Sequence, residues 1–67
     1  MTNFKLLQKA IDRSGMTITT IAYRSGILRP TLYNKLAGKC EFKASEIVSL
    51  TACLHLTKDE RDKIFLS

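Results

Sequence analysis

Gly26, four residues after Ala22 and flanked by Ser25 and Ile27, constrains the fold of this 67-residue chain more than any other position. A glycine can take φ > 0 and so ends a helix without the strain that a side chain brings. Ala22 is small at the point where two helices, crossing steeply over a turn of three or four residues, bring their backbones closest. Ile21, Ile27 and Leu32 then close the corner with apolar contacts. Thr17 is a candidate N-cap for the first helix, and Ala37-Gly38 supplies a second left-handed stop after the next. Thr17 to Gly38, TITTIAYRSGILRPTLYNKLAG, therefore reads as two short helices around a tight glycine turn.

Three further helices complete the reading, and no stretch has the pattern of a strand. Asn3 can cap a helix running to about Ser14, with Phe4, Leu7 and Ile11 on one face and Gly15 as its stop. After a loop from Gly38 to Lys43, a helix over about Ala44 to Leu54 buries Ile47, Leu50 and Leu54. Thr57-Lys58-Asp59-Glu60 is a capping box, in which the Thr57 hydroxyl and the Glu60 carboxylate satisfy exposed N–H groups reciprocally. It starts a last helix of about Lys58 to Leu66. The expected architecture is an all-α bundle of five short helices in one domain over residues 1–67, with a core that is marginal at this size.

The residues of the central pair resemble the Cro/CI-like (XRE-type) helix-turn-helix of phage repressors and related small bacterial regulators. The family pattern T-Q-x-x-L-A-x-x-x-G-V-S-x-x-T-[IL] appears here as Thr17-Ile18-x-x-Ile21-Ala22-x-x-x-Gly26-Ile27-Leu28-x-x-Thr31-Leu32, closed by Gly38. Three positions depart from it. Ile18 stands in place of a phosphate-binding Gln, Leu28 in place of the Ser or Thr that caps the recognition helix, and Ser25 in place of an apolar residue. The resemblance implies a lambda repressor-like DNA-binding domain whose second motif helix enters the major groove of double-stranded DNA. Carried over by motif position, Arg29, Pro30, Tyr33 and Asn34 are the base-contact candidates. Asn34 matches adenine N7 and N6, Arg29 can bind guanine O6 and N7, and the Tyr33 ring suits a thymine methyl or its hydroxyl a phosphate.

The helical repeat divides the remaining positions. A turn of about 100° per residue groups Leu28, Leu32 and Leu36 as the buried stripe of the recognition helix, with Arg29, Thr31 and Lys35 flanking it. On the preceding helix it places Ile18 inward with Ile21, Ala22 and Ser25, leaving Thr17 to meet a phosphate at the helix N-terminus. Charge follows the same segment: residues 17–43 hold Arg24, Arg29, Lys35, Lys39 and Lys43 against Glu41 alone, a net +4 of the chain's +5. A surface that displaces counterions from phosphates needs such a concentration. The phosphate-contact candidates are Thr17, Arg24, Thr31, Lys35, Lys39 and Lys43.

Other chemistries lack their residues. A zinc site takes about four ligands where the chain offers Cys40, Cys53 and His55, and Cys53 and His55, two apart, do not share a helix face. Cys53 reads as a small buried side chain, and Met16 and Phe42 as core or loop-anchoring residues. With no phosphate-cradling glycine loop, no triad and one imidazole, neither enzyme, cofactor, metal ion nor small-molecule ligand is expected. Apolar runs stay below the 18 residues or so of a membrane span, and Lys5, Lys9, Asp12 and Arg13 interrupt any leader-like stretch, so cytoplasmic placement is expected. No sensing or cleavable domain is expected after the central pair, as in a Cro protein or short repressor. A single recognition helix reads too few base pairs to find one site in a genome, so a homodimer is expected, at least on DNA. Ile64, Phe65 and Leu66 are its interface candidates, with Phe65 as the anchor, because three consecutive apolar residues cannot all face one core. The alternative is a protein-interaction module on the same scaffold, an antirepressor or antitoxin, which would not need the basic concentration.

Overall fold

The structure, a computed structural model, describes residues 2–66, which form α1 (Phe4–Ser14), α2 (Ile18–Ser25), α3 (Arg29–Leu36), α4 (Ala44–Cys53) and α5 (Lys58–Phe65). Each start has a local cause. The Asn3 side chain accepts from the Leu6 N–H, and Thr17 from the Thr20 N–H. Thr57 and Glu60 exchange the two bonds of the expected capping box, at 3.1 and 3.0 Å. Lys43, at the N-cap of α4, has no acceptor to offer. There the Glu46 carboxylate accepts from the Lys43 N–H at 2.8 Å.

The stops are equally local. Gly26 ends α2 at φ 74°, and the space where its Cβ would lie is empty to 4 Å. Gly26→Ala therefore meets a backbone penalty and no clash, and should lower stability by about 1–2 kcal/mol. Urea unfolding followed by circular dichroism measures this. A shift in the opposite direction would mean that α2 ends by another route. At the end of α4, His55 takes the left-handed position (φ 54°), between the bonds Leu56 N–H to Thr51 O and His55 N–H to Ala52 O. This is a Schellman stop with histidine where glycine is usual.

The helices close on one core. Leu7, Ile21, Leu32 and Leu50, one from each of α1 to α4, are its most buried large side chains. Ala22 and Ile27 are buried beside them, as the turn requires, and Ile18, Met16, Leu36 and Ile47 pack against the cluster from its edge. α2 is the centre of the arrangement, packed on both α3 and α4, while α5 packs on α1 and α4.

The C-terminal helix departs from expectation. Ile64 and Phe65 are both core residues, at 3% and 5% exposure, and only Leu66 is open, at 67%. The Phe65 ring meets Phe42 edge to face, with centroids 5.5 Å apart and planes at 75°. The Asn3 N–H donates to the Ile64 carbonyl at 2.6 Å, and Arg13 Nη1 pairs with Glu60 at 2.6 Å, so both ends of α5 are tied to α1 or its approach. A helix lodged against two neighbours buries two adjacent residues, one toward each. Phe65 and Ile64 are thus structural, and of the three interface candidates Leu66 alone remains on the surface. No helix among the described residues is long and apolar enough to cross a membrane.

Candidate nucleic-acid interface

α3 follows α2 after Gly26, Ile27 and Leu28, and its outer side carries Arg29, Pro30, Tyr33 and Asn34, all exposed. Pro30 sits in the first turn, where a missing N–H removes no helical bond. Arg29 Nη1 lies 3.4 Å from Thr19 Oγ1, a long contact that draws the guanidinium toward the first turn of α2. Thr19 was not among the sequence candidates. The turn that sets the start of α3 beside the start of α2 is the feature that points to it.

The far end of α3 determines where the next cations stand. Lys39 N–H donates to the Asn34 carbonyl and Gly38 N–H to the Lys35 carbonyl, at 3.0 and 3.1 Å. This Schellman closure reverses the chain directly after the helix. Phe42 is buried and pins the loop to the core, which leaves Lys39, Cys40, Glu41 and Lys43 exposed around it. Neither Arg29, Lys39 nor Lys43 takes part in an ion pair among the described residues, where the pairs are Arg13–Glu60, Lys35–Glu46 and Arg61–Asp62.

Two assignments from the sequence need correction. Lys35 is a buried residue whose ammonium pairs with Glu46 at the start of α4, so it is unavailable to a phosphate. The buried face of α3 is Leu32 and Lys35, with Thr31 and Leu36 half-buried beside them. Leu28, assigned to that face by the helical repeat, is instead the N-cap and is 75% exposed. The repeat fails there because Leu28 (φ −59°, ψ 137°) precedes the helical backbone. Arg24 lines a groove with Arg13, Ser14, Met16, Leu54, His55 and Glu60. Arg24 is itself exposed, and no residue of α3 or of the loop after it lines that groove. Thr17 is exposed, but its hydroxyl already accepts from the Thr20 N–H and shares a hydrogen bond with the Thr20 hydroxyl.

Electrostatics explain how α3 is held. Burial pushes the Glu46 carboxyl up, but the hydrogen bonds from Lys35 and the Lys43 N–H, with the charges of both lysines, outweigh it and hold the pKa below its ordinary value. Glu46 is thereby an anion that clamps α3 to α4. Burial raises the Cys53 pKa, against a smaller opposing pull from Arg24, so this thiol lacks thiolate character. No three His, Cys, Asp or Glu side chains among the described residues lie close enough together to hold a metal ion. Comparison of the chain with protein-family models, with curated proteins and with solved structures finds no match in any of the three.

Proposed function

We propose that this chain is a sequence-specific double-stranded DNA-binding regulator, using α2 and α3 as a helix-turn-helix in the manner of a phage Cro protein or short repressor. The observation that carries the reading is the outer side of α3. Arg29, Pro30, Tyr33 and Asn34 are all exposed there, and Lys39 and Lys43 follow in a loop anchored by Phe42. In this reading Arg29 and Asn34 meet base edges, while Lys39 and Lys43 hold phosphates. The clamp between Lys35 and Glu46 serves it indirectly, by fixing the angle at which α3 leaves the core. Two copies bind an inverted repeat with half-sites about one turn apart.

Duplex selected from a random pool, titrated at several salt concentrations, tests this. Affinity should fall steeply with salt as counterions return to the phosphates. Asn34→Ala should lose about 1–3 kcal/mol on the selected duplex with little change on random DNA, whereas Lys39→Ala should weaken both and reduce the salt slope by about one. A selected duplex bound no better than random DNA at every salt concentration would favour a protein-interaction module instead.

A further inference from the structure

Leu28 has no structural task that accounts for it. It is 75% exposed, so it adds little to the core, and its side chain makes no capping hydrogen bond at the start of α3. Its place is nevertheless special. It immediately precedes Arg29 at the end of α3 that, in a helix-turn-helix, is directed into the major groove. The first turn beside it is exposed through Arg29 and Pro30, and Tyr33, one turn on, is 51% exposed. An apolar tip thus stands directly beside the unpaired cation Arg29, with Lys39 and Lys43 beyond the other end of the same helix.

A leucine can recognise only apolar surface. Base edges in the major groove present hydrogen-bonding groups at every position and one apolar group, the C5-methyl of thymine. We propose that Leu28 reads a thymine methyl, next to the base pair that Arg29 contacts, so that each half-site of the preferred duplex contains a required thymine. The inference rests on the DNA-binding reading above and adds to it a base identity. Leu28 makes no charge contact, so it contributes discrimination without altering salt dependence.

Single-atom-group changes in the DNA test this directly. Each thymine of the selected half-site is replaced in turn by deoxyuridine, which removes only the methyl, and wild type is compared with Leu28→Ala and Leu28→Met. Burial of one methyl is worth about a fourfold change in Kd. Wild type and Leu28→Met should show that loss at one position. Leu28→Ala should bind the thymine and uracil duplexes equally and keep the wild-type salt slope. Circular dichroism confirms folding, which an exposed side chain should not disturb. A preferred duplex at which no thymine matters, or a Leu28→Ala protein that keeps the full methyl effect, overturns the inference and leaves the DNA-binding reading standing. If no duplex is preferred at all, both fall together.

Discussion

Phe65→Ala should remove about 3–5 kcal/mol of stability, the usual effect of deleting a buried aromatic ring. A chain of 67 residues has only about 3–10 kcal/mol in total, so a large part of the population would lose its fold at room temperature. The ring is 5% exposed and rests edge-on against Phe42, which itself pins the loop that carries Lys39 and Lys43. Damage should therefore reach the basic loop as well as α5. Urea titration by circular dichroism should show a much lower midpoint or no cooperative transition. Leu66→Ala, at an open position, should leave the midpoint nearly unchanged. An unaltered Phe65→Ala midpoint accompanied by lost self-association would instead return Phe65 to the role of an interface anchor.

Glu46→Ala should be of similar severity, for an electrostatic reason. The Lys35 side chain is 6% exposed, and its ammonium is compensated by Glu46. Removing one partner of a buried pair leaves a charge without solvent or counter-charge and costs about 3–5 kcal/mol. Replacing both partners with uncharged side chains of similar volume avoids that state, so the double variant Lys35→Met with Glu46→Gln should fall within roughly 1 kcal/mol of wild type. Denaturation of Lys35→Met, Glu46→Gln and the double variant closes a cycle. Simple additivity of the single losses would mean that the pair does not clamp α3.

The same pair sets an acid limit. The Glu46 pKa lies below its ordinary value in the folded chain, so on acidification the unfolded chain takes up the proton first. The stabilisation is whole above the ordinary carboxylate range and is lost as pH falls through the folded pKa. Glu60 is shifted in the same direction, by its hydrogen bond from Arg13 before that from the Thr57 N–H, so acid will also loosen α5 from α1. Melting temperatures against pH for wild type and Glu46→Gln separate the two. The gap between the curves should be widest near neutrality and narrow at acid pH, and a gap independent of pH would remove Glu46 from the titration.

The features readable along the chain are those produced by neighbours within a turn. Asn3, Thr17 and the Thr57–Glu60 box start helices because side-chain oxygens reach backbone N–H groups three residues on. Gly15, Gly26 and Gly38 mark stops through their own backbone freedom. Helical periodicity located Leu7, Ile11, Ile21, Leu32 and Leu50 in the core for the same reason, because residues three or four apart share a face whatever lies opposite. In the candidate interface, motif position gives Arg29, Pro30, Tyr33 and Asn34, the concentration of charge gives Lys39 and Lys43, and tertiary packing leaves all six exposed.

Tertiary structure alone decided the rest. Lys35 shares a face with Leu32, yet a lysine is expected outside unless a partner meets it, and Glu46 arrives from 11 residues away on another helix. Arg24 and Leu28 are ordinary exposed candidates or stripe members by repeat, and only the packed turn sends one to the groove beside α1 and the other to the tip of α3. Phe65 reads as surplus apolar surface until Phe42, 23 residues earlier, is folded against it. Short-range hydrogen bonding and backbone geometry were settled by the order of residues, whereas burial of a particular side chain depends on which distant element covers it.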